Sequence, residues 1–178
     1  MKILAICGSP RKGNTEFILN TILEEIKDHE KELILLRNKK IEHCTGCDAC
    51  YNQGEDCYIN DDMKEIIPKL LQSDLIIFGT PNYFKNVSSL MKVFMDRTNE
   101  IVGQHKLKNK KAVIICVGGQ ELTNTQYCEN ILKGFVEDHK MILIESFKAR
   151  AEGPNETKEG KGIIETLKDI GKKINNIK

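Results

Sequence analysis

The sequence predicts an α/β domain in which one parallel five-stranded sheet is covered by helices on both faces. Three observations carry this. Short apolar runs alternate with amphipathic segments along the chain. The runs are continuously apolar rather than alternating, the pattern of strands buried on both faces. The length of 178 residues suits one domain and buries about 70% of the surface exposed in the unfolded chain.

Residues 2–7 (KILAIC) read as the first strand. A helical period follows over 15–29, with Phe17, Ile18, Ile22, Leu23 and Ile26 on one face. Residues 32–37 (ELILLR) are the second strand, and a cysteine-rich segment comes next. A helix over 62–72 opens on Asp62, with Glu65 placed to complete a capping box. Residues 74–79 (DLIIFG) are the third strand. A helix over 87–102 has Asn86 as its expected N-cap. Residues 111–117 (KAVIICV) are the fourth strand, 124–139 a helix, 141–147 the fifth strand, and a last helix starts near Gly160. Residues 152–161 (EGPNETKEGK) read as a loop.

The order βαβαβαβαβα fits a three-layer sandwich of flavodoxin-like strand order 2-1-3-4-5. Residues 1–178 are expected to form one domain with a cysteine-rich insertion at about 43–61. Ligands of such sheets bind at the carboxyl ends of the strands, where the order reverses between the first and third.

Lys and Arg number 27 against 26 Asp and Glu, a net charge of +1. That balance gives no electrostatic footprint for nucleic acid or an anionic membrane. The basic C-terminal end (Lys168, Lys172, Lys173, Lys178) reads as a solvated helix face. The opening apolar stretch is too short for a signal peptide, and no apolar run reaches bilayer-spanning length. The expected location is cytoplasmic, where clustered cysteines point to metal or redox chemistry rather than disulfides.

The loop after the first strand, Gly8-Ser9-Pro10-Arg11-Lys12-Gly13-Asn14-Thr15, runs into a helix start. Unpaired N–H groups and the helix dipole make a phosphate its natural guest. Ser9, Asn14 and Thr15 supply polar side chains, and Arg11 and Lys12 supply counter-charge. Asn14 stands where a triphosphate-binding loop needs lysine. The Rossmann glycine pattern is absent, and counting from Cys7 to a phosphatase arginine lands on Gly13.

GSPRKGNT resembles the phosphate loop of the NAD(P)H-dependent FMN reductase family, close to G-S-x-R-x-x-[GS]-x-[ST]. Thr80-Pro81-Asn82-Tyr83-Phe84 resembles that family's flavin loop. Leu90-Met91-Lys92 with Asp96-Arg97 resembles the helix after it, and Gly118-Gly119 the third flavin-contacting loop. The resemblance covers essentially the whole chain. It implies FMN held at Ser9, Arg11, Lys12, Gly13, Asn14 and Thr15, and at Pro81, Asn82, Tyr83, Phe84, Gly118 and Gly119. NAD(P)H is the implied electron donor, and a homodimer or homotetramer the implied assembly. A flavin needs an apolar platform and backbone donors for its carbonyls, which suits Tyr83, Phe84 and the glycine pair. Phe84 has a plainer alternative as a core plug for its loop.

Cys44, Cys47, Cys50 and Cys57 fall within fourteen residues as C-x2-C-x2-C-x6-C. This resembles the iron–sulfur flavoprotein subgroup, in which such runs hold a 4Fe-4S cluster. Unlike bacterial ferredoxins, no second cysteine set is present, so the fourth ligand would be Cys57. Gly46 and Gly54 would let the loop fold round a cube. Zinc and free or redox-active thiols stay open as alternatives. His43 reads as a surface residue, and Cys7, Cys116 and Cys128 as core thiols.

FMN with a cluster would convert two-electron to one-electron transfer and could serve a ferredoxin-like partner. The alternative is a cluster-free NAD(P)H-dependent FMN or quinone reductase, and a flavin-binding sensor is a weaker third. Hydride transfer needs no acid or base, so no catalytic side chain is assigned.

Overall fold

In the computed structural model β1 (Lys2–Cys7) lies inside a five-stranded sheet, paired in parallel with β2 (Glu30–Leu35) and β3 (Leu75–Pro81). Beyond β3 come β4 (Lys111–Gly118) and β5 (Ile142–Arg150), also parallel, giving the order 2-1-3-4-5. The described residues are 1–52, 54–153, 156–158 and 160–177. Gln53 of the cysteine segment, Pro154, Asn155 and Glu159 of the expected 152–161 loop, and Lys178 of the basic terminus lie outside them.

The two-residue period of the strands divides the core. Ile3, Ala5, Cys7, Leu75, Ile77, Val113 and Ile115 face α1 (Asn14–Glu25) and α7 (Lys161–Asn175). Leu4, Ile6, Ile76, Phe78, Ile114 and Cys116 face α3 (Met63–Gln72), α4 (Ser89–Arg97) and α6 (Leu122–Asp138). Burial on both faces holds for β1, β3 and β4. It fails at the edges: Glu30, Lys31 and Glu32 of β2 are exposed, as are Ile142 and Leu143 of β5. An edge strand is not fully covered by the helix layers, so its first residues meet solvent.

Helix boundaries differ from expectation in several places, the helix expected over 124–139 by starting at Leu122. The helix expected over 15–29 ends at Glu25, because Ile26 is already extended. The helix expected over 87–102 is two, α4 and the short α5 (Asn99–Val102), divided at Thr98. Its cap is Ser88, not Asn86: the Ser88 hydroxyl accepts from the Met91 N–H at 3.1 Å. Asn86 instead turns its carbonyl oxygen to the Val87 N–H. The capping box at Asp62 does not form either. Asp62 accepts from the Lys40 N–H, Glu65 pairs with Lys39, and Asp61 serves the Met63 N–H. Lys40 and Lys39, ahead of the cysteine segment, have taken the two side chains that the local pattern assigned to the capping box.

Thr98 bonds the Met95 carbonyl and, at 3.0 Å, His139 Nε2. His139 is 1% exposed and stacks edge-on against Phe135. Burial pushes its pKa down to about 4, opposed by Asp138 and aided by His105. Among the described residues no helix is long and apolar enough to cross a membrane.

The His139 shift predicts a pH dependence of stability. The folded imidazole stays neutral where the unfolded one, near its usual value of about 6.5, takes a proton. The stabilisation is therefore complete above about pH 6.5 and lost as pH falls towards 4, by an order of 3 kcal/mol. Urea unfolding at neutral and mildly acid pH should show the loss, and His139→Gln should flatten the slope. An unchanged slope in the variant would mean another group governs it.

Candidate functional site

The crevice opens where the chain leaves β1 and β3. The Gly8 N–H donates to the Gly79 carbonyl at 2.7 Å, keeping the two loops joined above the sheet before they part. Position 8 admits only glycine, since an added Cβ would lie 2.8 Å from Met91 Cβ. Gly13 then caps α1 through its carbonyl, which accepts from the Phe17 N–H at 3.0 Å, and no side chain covers the first turn. The N–H groups of Asn14, Thr15 and Glu16 are therefore open to an anion.

The Asn14 side chain is already used. Its Nδ2 donates to the Gly153 carbonyl, and its Oδ1 accepts from the N–H and hydroxyl of Thr157. It fastens the segment after β5 against this loop, and its backbone N–H is what it can offer a phosphate. Ser9 Oγ donates to the Arg11 carbonyl at 2.8 Å, and Arg11 and Lys12 stand exposed at the mouth.

The opposite wall is the loop after β3. The Asn82 N–H donates to the Val117 carbonyl at 2.7 Å, joining this loop to the end of β4. Tyr83 and Asn86 exchange backbone bonds across a tight turn. Within it Phe84 and Lys85 have φ of 51° and 61°, the left-handed region that costs a bulky residue about 1–3 kcal/mol. Phe84 is fully exposed and Tyr83 is 40% exposed, so Phe84 does not plug the core. Gly118 is buried against Thr125, while Gly119 is exposed and open.

These loops line two adjoining hollows. One of about 230 Å³ is bordered by Ser9, Arg11, Asn14, Thr15, Pro81 and Glu152. The other, about 450 Å³, is bordered by Phe84, Lys85 and Gln120. Asn82, Tyr83 and Gly119 border both, so the cleft is continuous. Asn82 Oδ1 at its wall and Thr125 Oγ1 behind Gly118 are buried with no hydrogen-bond partner. An anion-binding end, an aromatic end and an orphaned amide oxygen between them fit a flavin mononucleotide.

The cysteine segment lies between β2 and α3. It turns through left-handed residues at Gly46, Asp48 and Gly54 and includes the short α2 (Ala49–Asn52). Cys44, Cys50 and Cys57 are half-buried, Cys47 is exposed, and all are free thiols. Burial raises the Cys50 pKa, and the charges of Cys57, Cys47 and Cys44 raise it further, so all three other sulfurs lie within its electrostatic reach. Among the described residues no group of three or more His, Cys, Asp or Glu side chains forms a ready-made ion site. A soft four-thiol donor set suits an iron–sulfur centre by its chemistry. His43 is exposed. Cys7, Cys116 and Cys128 are buried; burial pushes Cys7 up to about 11, and the hydrogen bond with Cys128, then burial, raises Cys116.

One neighbour of this loop has a role that the sequence pattern does not show. Arg97 is buried, pairs with Asp61, and points Nη2 at Cys57 Sγ, 3.6 Å away. Burial would raise the Asp61 pKa, but bonds from Arg97 and from the N–H groups of Glu42 and Met63 hold it below its usual value.

A doubly wound sheet with a phosphate-ready loop and an aromatic wall at its switch point defines a flavodoxin-like mononucleotide-binding protein. The chain belongs to the NADPH-dependent FMN reductase family, an oxidoreductase family whose model matches residues 1–152. It is 39% identical to an iron-sulfur flavoprotein of Archaeoglobus fulgidus over 71% of this chain, and spans just under two thirds (64%) of that relative. It is 34% identical to an iron-sulfur flavoprotein of Methanocaldococcus jannaschii, covering 98% of this chain and 95% of the other. In fold it is similar to an NAD(P)H:quinone oxidoreductase from Methanothermobacter marburgensis, with TM-score 0.76, 14% identity, and coverage of 100% and 98%. A flavone reductase gives TM-score 0.75 at 23% identity, covering 96% of this chain and 60% of that one.

The two glycines at the end of β4 should respond differently to substitution. In Gly118→Ala the new methyl runs into Thr125 Oγ1, and thermal unfolding should show a loss of about 1–3 kcal/mol. In Gly119→Ala the nearest atoms lie 3.6 Å away, and Tm should hardly move. Equal Tm values for the two variants would contradict this packing.

Proposed function

We propose that this single domain, residues 1–178, is an FMN-binding redox flavoprotein that passes electrons between FMN in the cleft and a 4Fe-4S cluster held by Cys44, Cys47, Cys50 and Cys57. The observation that carries the reading is the position of the four thiols. They fall within fourteen residues of one another, in the segment that follows β2. The names of the two relatives above, both iron-sulfur flavoproteins, support it.

Bound FMN supplies two-electron hydride chemistry and single-electron release, and a 4Fe-4S cluster supplies a one-electron centre. The chain's own residues bind and orient. The α1 N–H groups of Asn14 and Thr15, with Ser9, Gly13, Arg11 and Lys12, hold the phosphate. Tyr83 and Phe84 give the ring its platform. Pro81 and Asn82 shape its edge, and Gly118 and Gly119 allow backbone donors to approach. No side chain is assigned a proton. The exposed, strained Phe84 ring borders space that a nicotinamide from NAD(P)H could enter. A homodimer or homotetramer, a ferredoxin-like redox partner and a cytoplasmic location complete the proposal.

Protein purified without oxygen should carry one FMN with about four iron and four sulfide per chain. Stoichiometric FMN with negligible iron would leave a cluster-free NAD(P)H-dependent FMN or quinone reductase in its place. Tyr83→Ala should weaken FMN binding by about tenfold, the scale of a lost aromatic contact with its buried area. Wild-type affinity, read by flavin fluorescence quenching, would remove Tyr83 from the platform.

A further inference from the structure

We propose that Arg97 is the positioning residue of the cysteine site: it locks the base of the loop and brings Cys57 to the other three sulfurs as a hydrogen-bond acceptor. This inference rests on reading the loop as a metal–sulfur site.

Arg97 ends α4, where a basic residue ordinarily sits in solvent near the negative end of the helix dipole. Here the residue is 3% exposed. A buried guanidinium persists only with partners for its fork of donors. Its two terminal nitrogens have three partners, Glu42, Cys57 and Asp61, in the cysteine segment or at its entrance, while Nε has none. Nη1 donates to the Glu42 carbonyl at 2.8 Å and to Asp61 Oδ2. Nη2 donates to Asp61 Oδ1 at 3.2 Å and to Cys57 Sγ at 3.6 Å.

Glu42 stands just before the first cysteine and Asp61 just after the last. Their own bond, Glu42 N–H to Asp61 Oδ2 at 2.9 Å, closes a loop of 19 residues in sequence separation. Lys40 and Asp62 exchange two more bonds beside it. These contacts already hold the ends together. The reach to Cys57 is extra, and it falls on the cysteine that most needs it. Cys44, Cys47 and Cys50 are spaced three apart, whereas Cys57 lies seven residues beyond Cys50 with Gly54 between. A planar fork can hold the loop base and the distant sulfur at once. A lysine has three donors, but on one nitrogen, and lacks the spread planar fork that reaches both positions in a fixed geometry. An N–H donor on a ligating sulfur also raises the reduction potential of an iron–sulfur centre, because it stabilises the added electron.

The test uses the full chain as Arg97→Lys and Arg97→Gln, with Arg150→Gln as a control taken from an exposed ion pair. Circular dichroism and thermal unfolding establish that each variant is folded. Arg97→Lys, which keeps the charge, carries the test if the glutamine variant does not fold. Cobalt(II) titrated into metal-free protein reports gathered thiolates through charge-transfer absorbance. Arg97→Lys should bind cobalt about tenfold or more weakly, and Arg150→Gln as wild type does. After reconstitution with iron and sulfide, Arg97→Lys should show a more negative midpoint potential than wild type, which a purely structural role would not produce. Folded Arg97→Lys with wild-type cobalt affinity and midpoint potential overturns the proposal, as does a wild type that fails to gather cobalt. Wild type that binds cobalt tightly but takes up no iron sinks the cluster reading alone, and the cobalt comparison still decides the role of Arg97.

Discussion

The buried hydroxyl of Ser88 joins the parts on which the site depends. It donates to the Gly8 carbonyl at 2.5 Å and accepts from the Met91 N–H, while the Ser88 N–H donates to Thr80 Oγ1. One residue thus connects the loop after β1, the end of β3 and the start of α4. Those loops must diverge, because the helices they lead into, α1 and α4, cover opposite faces of the sheet. Ser88 fixes how far they do. Nine residues later the same helix ends in Arg97 beneath the cysteine loop. At a rise of about 1.5 Å per residue, α4 is a rigid spacer of roughly 13 Å between crevice and loop. Two regions far apart in sequence are held by one short helix.

Strain and exposure coincide at the mouth of the cleft. Several large aromatic rings reach solvent on this chain, but most have a local partner. Tyr51 packs against Gly103, Tyr58 bonds Thr45, and Tyr127 lies under the Lys85 ammonium. Phe84 combines full exposure with a left-handed backbone. Backbone strain of this kind persists where function needs a particular geometry. A ring held out over a cleft with an anion-ready opposite end is what a flat cofactor with a phosphate tail requires.

The sheet order and all five strands were legible because the strands are short apolar runs and the phosphate loop sits where such a sheet binds ligands. What was not legible lay in long-range hydrogen bonds. Asn86 and Asp62 are good caps by type, but Ser88 and Asp61 do that work, since Asn86 is held in the Tyr83 turn and Asp62 serves Lys40. The helix breaks at Thr98, whose hydroxyl bonds Met95 and His139, a partner 41 positions away. Arg97 belongs to the Asp96-Arg97 pair noted in sequence, but its partner Cys57 lies 40 positions away. The one local hint was a charge at a helix position that also carries apolar burial. Asn14 has a side chain suited to a ligand by type, yet its amide holds a segment about 140 residues on.

The central claim is that one domain holds both a two-electron cofactor and a one-electron centre. Anaerobic reductive titration of the purified protein, followed by absorbance and electron paramagnetic resonance, measures this directly. The account predicts uptake of about three reducing equivalents per chain, two by the flavin and one by the cluster, with a cluster resonance in the reduced state. Uptake of only two equivalents, with no iron–sulfur resonance, would contradict it.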